Sequence, residues 1–447
     1  MSDQSFLDQQ LAVFGEAFRV KPAPPESAGR VAGAPAVRLD QARALVRQGA
    51  FGEAKDAILQ ALAKAPNSPD AQALLGALYL ETDDPAAALP HLARACELLP
   101  DWAEAPRLCA EAAWRLGQLD VAKSYLEAAL DHRPNWPEVR MRLGEVRLRL
   151  GDYAEGWPLF EARWQCESYR RGLPQHGRTP FWSGRQPLDG KTIVILAEQG
   201  LNGLLQFVRY ASLFQRKGAR VIVTCPADFE AMIKTVPGVA GTVPFGTPMP
   251  LVDFLIPALS LPTAFGTLLG TIPTEVPYLS APEDLSWAWQ RHLERLAPAP
   301  ARRIGVLWRG YPGENLPAAR TVPLGLLAPL WGIPGVSWFS LATGDAVRDL
   351  SHHATPMIDL SPALDSADAF AAAVSQLDAI VTVDTAVAHL AGAMGRPAFV
   401  LLNAACDSRW PGRSEQTPWY RSLRLVRQDV EGSWTDPIAR LARAVAE

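Results

Sequence analysis

The chain has 447 residues, 48% of them hydrophobic and 20% charged, and its 43 Lys and Arg against 47 Asp and Glu leave a formal charge of −4. That length exceeds one ordinary core and predicts about three folding units, and the composition excludes wholesale disorder. The lack of a Lys/Arg block argues against nucleic acid as a partner; without a run of about 18 apolar residues or a secretion signal, a cytoplasmic protein with no membrane span is expected.

Residues 5–18 suit a short amphipathic helix, with Phe6, Leu7, Leu11, Phe14 and Phe18 near one face, and the Pro/Ala/Gly-rich stretch 21–35 reads as a linker. Beyond it Pro66, Pro100 and Pro134 recur at intervals of 34, as do Ala54, Ala88 and Ala122, and Ala61, Ala95 and Ala129. Three columns sharing one period mark a repeat. Two helices pack closely only where a small side chain lets their backbones approach, which is what the alanine columns supply, and a proline suits the turn closing each pair. The repeat beginning near Pro137 keeps Leu143 and Gly144 but has Gly156 in the small-residue column, as expected of a C-terminal cap. Such stacks present a groove for a protein segment or serve as a spacer or oligomerisation surface.

After Gly156 the pattern changes to an aromatic- and proline-rich connector with Trp157, Trp164 and Trp182. A strand at 192–196, a glycine-containing turn at 198–203, a helix at 204–217 and a strand at 220–224 then make a βαβ unit, with further strands at 240–245 and 254–257. The Pro-rich stretch 297–301 reads as a lobe boundary. A second α/β lobe follows, with strands at 303–308, 337–341, 379–383 and 398–402 and helices at 367–376 and 386–394. Two lobes of this kind form a cleft at the C-terminal ends of their strands.

The sharpest local signal is AIVTVDTAVAHLAGAMGRP (379–397), where an apolar strand ends at Asp384 and a helix opens after Thr385. Free N–H groups at that helix end and the Thr385 hydroxyl suit a diphosphate, and Asp384 suits ligand hydroxyls; plain helix capping is the alternative, and the presence of a second lobe favours ligand contact. His389 lies one turn further on the same face, and by itself reads as a buried core histidine. The five cysteines, Cys96, Cys109, Cys166, Cys225 and Cys406, are scattered without CxxC or His partners, so reduced structural thiols and no metal site are expected.

From Asp70 to Pro100, residues Leu75, Gly76, Tyr79, Ala88, Leu92 and Ala95 resemble the tetratricopeptide repeat. The runs GDYAEGWPLFEARW, AEQGLNGLLQFVRYA, FLIPALSLPTAFGT, VDTAVAHLAGAMGRP and SRWPGRSEQTPWY resemble bacterial fusions of such repeats to a GT-B glycosyltransferase lobe pair, related to heptosyltransferases and more distantly to O-linked N-acetylglucosamine transferases. The resemblance implies an α-solenoid followed by two Rossmann-like lobes, divided as N-terminal helix and linker (1–35), repeats (36–165), connector (166–190), first lobe (191–296) and second lobe (302–447). It implies sugar transfer from a nucleotide-sugar donor, with no other cofactor and no metal, to a protein acceptor in the repeat groove, such as a flagellar or surface protein. Donor contacts carried over are Asp384, Thr385, Ala386 and His389, the loop residues Arg309 and Gly310, and the pair Arg320 and Thr321.

The family's first turn ends in Gly-Leu-Gly-Asp, its acid serving as general base, whereas this chain has Asn202 and Gly203 there. Neither accepts a proton near neutral pH. The acid that usually precedes the basic pair is also absent from NLPAAR. Glu198 is the candidate replacement base, and Asp407 and Arg409 line the cleft or form a solvated ion pair. Trp410, Trp419 and Tyr420 read as packing residues. The alternative to an enzyme is a catalytically silent repeat scaffold with a degenerate transferase region.

Overall fold

The computed structural model describes residues 34–167, 169, 179–198, 200–310, 321–429 and 432–447. The expected helix at 5–18, nearly all of the linker and Arg320 lie outside the described residues. The chain divides into two compact units, one ending at Cys166 and the other running from Glu167 to Glu447.

The first unit is a run of eight described helices: α1 (Ala34–Arg47), α2 (Phe51–Lys64), α3 (Pro69–Glu81), α4 (Pro85–Leu98), α5 (Glu104–Arg115), α6 (Leu119–His132), α7 (Pro137–Leu150) and α8 (Tyr153–Phe160). The 34-residue period is physical. Pro66, Pro100 and Pro134 follow Ala65, Leu99 and Arg133, which leave the helical region with φ near −138°, −139° and −138°, as a residue before proline must. Helix starts are equally local: Pro69 and Pro85 open helices whose caps, Ser68 and Asp84, accept the Ala71 and Ala87 N–H groups at 3.3 and 3.0 Å. All six column alanines are buried. Glycine does the same work at the second and fourth pairs. A Cβ on Gly76 would lie 2.5 Å from Leu92 Cγ, and one on Gly144 would lie 2.5 Å from the Phe160 backbone nitrogen.

The second unit holds two parallel sheets. The first has the order β3-β2-β1-β4, built from β1 (Thr192–Leu196), β2 (Arg220–Cys225), β3 (Val239–Pro244) and β4 (Phe254–Pro257). The second has the order β10-β9-β8-β5-β6-β7, built from β5 (Arg302–Leu307), β6 (Val336–Ser340), β7 (Ile358–Asp359), β8 (Ala379–Val383), β9 (Ala398–Leu402) and β10 (Leu423–Arg427). The central strands β1 and β8 are near-continuous apolar runs because parallel strands are covered on both faces. In each sheet the first strand has neighbours leading in opposite directions, which places switch points between β1 and β4 and between β5 and β8.

The helix expected over 204–217 is instead two, α9 (Leu201–Phe207) and α10 (Ala211–Arg216), separated by a tighter turn at Val208–Tyr210. That break turns Arg209 into the interior, where it is 3% exposed. The connector is tied to the first sheet: Phe181 pairs with Leu255, the Trp182 N–H donates to the Leu255 carbonyl at 2.8 Å, and the Trp182 ring packs on Phe214 and Phe265. Helices α11 (Glu283–Leu296) and α12 (Ala367–Gln376) pack on each other, α13 (Ala386–Ala393) follows β8, and α14 (Thr435–Ala446) packs on β10. No helix among the described residues is long and apolar enough to cross a membrane.

Candidate functional site

Both switch points carry the loops singled out in the sequence. After β1 come Ala197 and Glu198, and α9 opens after Gly200; after β5 come Trp308, Arg309 and Gly310, and after β8 come Asp384 and Thr385 at the start of α13. Ligands of open α/β sheets bind at such strand ends. Helix α9 packs against α13, so the two loop systems converge.

The β8 side of the second switch point is sealed by protein groups. Asp384, Thr385 and His389 are 2%, 1% and 0% exposed. The Trp410 indole N–H donates to Asp384 Oδ1 at 2.7 Å, and the Thr385 hydroxyl lies 3.2 Å from that of Thr382. His389 shares a 3.0 Å hydrogen bond between Nδ1 and the Tyr420 hydroxyl, and stacks on Trp410 with ring centroids 4.9 Å apart. Burial pushes the Tyr420 hydroxyl well above its usual range, so it is a neutral O–H. A Cβ on Gly392, one turn along α13, would strike the Tyr420 ring at 2.4 Å, so this glycine is what lets the tyrosine reach His389.

The β5 side is more open. The Trp308 indole N–H donates to Asp349 Oδ2 at 2.8 Å, and the same oxygen lies 3.4 Å from Arg309 Nη1. The Arg309 side chain keeps 39% of its surface exposed. Thr321 and Gly310 are half-buried, and the Val322 N–H donates to the Trp308 carbonyl, bringing the chain back beside the loop.

Around the first switch point, Glu198 is 5% exposed and its Oε1 accepts the Leu259 backbone N–H at 2.8 Å, joining the ends of β1 and β4. Gly203 faces the same place. A Cβ there would lie 2.7 Å from Leu259 Cδ1, 3.2 Å from the Glu198 carbonyl oxygen and 3.7 Å from Arg409 Nη2. Arg409 is steadied by Asp407 through Nη1 at 2.8 Å and through its backbone N–H at 2.9 Å. Position 203 is thus adjacent to a guanidinium from the second lobe.

Sequence reasoning missed Arg209. Its Nη1 donates to the carbonyls of Trp419 and Pro273 at 2.8 and 3.0 Å, Nη2 to the Tyr278 hydroxyl at 2.9 Å and Nε to the Gln206 carbonyl at 2.9 Å. The guanidinium also lies over the rings of Tyr278 and Tyr420, at 4.5 and 4.7 Å. It therefore links helix α9 to the segment that supports His389. The signal was an arginine inside the otherwise apolar run FVRYA.

A helical-repeat unit followed by paired parallel sheets with loops converging at their switch points defines a repeat-bearing protein with a two-sheet α/β region. Comparison with known families makes this specific: residues 39–103 and 110–163 match the tetratricopeptide repeat, and residues 346–433 match glycosyltransferase family 9 (heptosyltransferase). The chain thus joins segments that match tetratricopeptide repeats to a segment that matches glycosyltransferase family 9. It is 27% identical over 436 residues to Protein FlbA of Caulobacter vibrioides, an alignment covering 88% of this chain and 70% of the relative. A glycosyl transferase family 9 structure from Veillonella parvula aligns with 55% of this chain and 88% of its own, at 11% identity and a TM-score of 0.42. A structure of MamA from AMB-1 aligns with 30% of this chain and 80% of its own, at 25% identity and a TM-score of 0.28.

Proposed function

We propose that this protein is a cytoplasmic glycosyltransferase that takes a sugar from a nucleotide-sugar donor and transfers it to a protein acceptor, with a flagellar or surface protein as the kind of acceptor, held by its repeats. The observation that carries the reading is the switch point between β5 and β8, whose two strand ends bear Trp308-Arg309-Gly310 and Asp384-Thr385-Ala386. The donor diphosphate lies there, beside the cationic Arg309 and the partly exposed Ala386 at the start of α13, with Thr321 near the same loop; Arg320 is the further cation that the resemblance assigns to the donor. Asp384 and His389 act in this scheme by holding Trp410 and Tyr420 in place. Departure of the nucleoside diphosphate is stabilised by these dipoles and cations, with no metal or other cofactor required. Glu198 is the candidate base, as a carboxylate carried at the end of β1 in the loop that leads to Gly203.

A second reading is favoured by two observations at that same place: Gly203 has no side chain, and the Glu198 carboxylate already accepts the Leu259 N–H. It describes a scaffold that binds a donor, or only a protein partner, without turnover. Calorimetric titration with a panel of nucleotide sugars, followed by intact-mass analysis of candidate acceptor protein incubated with any binder, separates the two. A sugar-sized mass gain that Glu198→Gln abolishes supports the transferase with Glu198 as base. Donor binding without mass gain supports the scaffold, and no binding across the panel removes the donor site from both.

A further inference from the structure

Cys96 and Cys109 are 13 residues apart, on α4 and α5 of consecutive helix pairs, and fold so that their Sγ atoms lie 3.5 Å from each other. That is contact distance for two thiols. A disulfide needs about 2.05 Å, so each sulfur has to travel only about 0.7 Å. The helices that carry them already share a packed cluster with Leu80, Ala88 and Leu92, and the bond therefore closes across an existing interface.

The two thiols are unequal. Cys109 is fully buried, whereas Cys96 is partly exposed. The thiol–thiol hydrogen bond lowers the Cys96 thiol below its ordinary range, and the same bond together with burial raises that of Cys109. One sulfur is reachable and ionises more readily, and its neighbour is shielded immediately behind it. This is the order required of an attacking and a resolving thiol. Cys166, Cys225 and Cys406 are buried, and burial pushes the Cys225 thiol up to about 12.

We propose that Cys96 and Cys109 form an oxidisable dithiol site that takes a small hydroperoxide and closes to an intramolecular disulfide stapling the second helix pair to the third. Cys96 Sγ attacks a peroxide oxygen; the S–O bond forms as the O–O bond breaks, giving a sulfenic acid at Cys96 and water or an alcohol. Cys109 Sγ then attacks the Cys96 sulfur, the S–S bond forms, and the departing hydroxide leaves as water with the Cys109 proton. Two thiols give up two electrons and two protons, and the peroxide accepts them. The staple holds the repeat stack in one register without touching the α/β unit's chemistry.

The test uses the full chain, reduced and then treated with stoichiometric hydrogen peroxide, alkylated under denaturing conditions and cleaved after arginine. Cleavage separates Cys96, in residues 95–107, from Cys109, in residues 108–115. The expected result is a single linked species two hydrogen masses lighter than the sum of those peptides, two fewer alkyl groups on the intact chain, and a higher thermal midpoint for the repeats. In Cys109→Ser the link is lost and Cys96 becomes trappable by dimedone. Recovery of both peptides separately and fully alkylated, or of Cys96 linked only to a second chain, overturns the proposal; the linked peptide in the unaltered chain decides it even where a variant fails to fold.

Discussion

Replacing Arg209 with Met removes a buried cation of similar length and leaves its acceptors behind. The carbonyls of Trp419 and Pro273 and the Tyr278 hydroxyl lose donors that stand at 2.8 to 3.0 Å. An acceptor stranded in the interior costs about 1–3 kcal/mol, and the three ring contacts, with Tyr278, Tyr420 and Trp419, contribute about 0.5–2 kcal/mol each. Against these losses stands the desolvation of an arginine that is 3% exposed, a cost of several kcal/mol that the methionine escapes. The balance is a destabilisation of about 2–4 kcal/mol for the α/β unit. Arg209→Lys keeps the charge but has no fork to reach Trp419 and Tyr278 together, so it loses at least as much. Urea unfolding followed by tryptophan fluorescence reads both variants, since Trp419 lies beside the guanidinium. A lysine variant as stable as the parent, or a methionine variant within about 1 kcal/mol of it, refutes the assignment of stability to the forked hydrogen bonds.

Gly144→Ala gains about 1 kcal/mol of helix propensity but sets a Cβ 2.5 Å from backbone at Phe160; with overpacking at about 1–3 kcal/mol, a net loss is expected in thermal unfolding of the repeats. Glu111 is buried between Arg115 and Arg142, at 2.9 and 3.6 Å; burial raises its carboxyl, but those cations outweigh burial and hold it below its usual range. A depressed carboxyl contributes stability above its unfolded value of about 4.3 and loses it as pH falls through the folded value. The repeats therefore weaken below about pH 4.3, and Glu111→Gln flattens that dependence in pH-stepped circular dichroism. Gly203→Asp restores a carboxylate beside Arg409 after a shift of the Leu259 side-chain tip. If transfer lacks only its base, intact-mass time courses show a rate increase of about 100-fold; an unchanged rate shows that the base is not the deficit.

The repeats were legible because their rule is local: a small residue where backbones touch and a proline where each pair turns recur in sequence as they do in space. The strands at 192–196, 254–257, 379–383 and 398–402 were read at their observed bounds, since a buried parallel strand is an apolar run ended by turn residues. The strands Ile358–Asp359 and Leu423–Arg427 were not read. One is two residues long, and the other carries two arginines at the sheet's edge. The break at Val208–Tyr210 was invisible as well, because three of the four groups that Arg209 donates to lie 64 to 210 residues away. Trp410 and Tyr420 read as packing residues, and they are buried; their hydrogen bonds to Asp384 and His389 come from the fold and have no counterpart in local pattern.

The two sides of the second switch point have different consequences for a donor. On the β8 side, Asp384 and His389 are closed over by Trp410 and Tyr420, so their influence on a ligand passes through the position of the indole. On the β5 side, Arg309 retains exposed surface and shares Asp349 with Trp308, at 3.4 Å from the carboxylate oxygen. Trp410→Phe keeps an aromatic face for His389 but loses the N–H to Asp384, leaving a buried carboxylate oxygen short of a donor at a cost of about 1–3 kcal/mol. It should therefore lower stability and donor affinity together. Arg309→Ala removes a half-exposed pair worth about 0–1 kcal/mol to the fold, so any loss of nucleotide-sugar affinity by calorimetry appears with the unfolding midpoint nearly unchanged. Unchanged nucleotide-sugar affinity in Arg309→Ala would mean that the β5 side does not meet the donor, and the switch-point reading would fall with it.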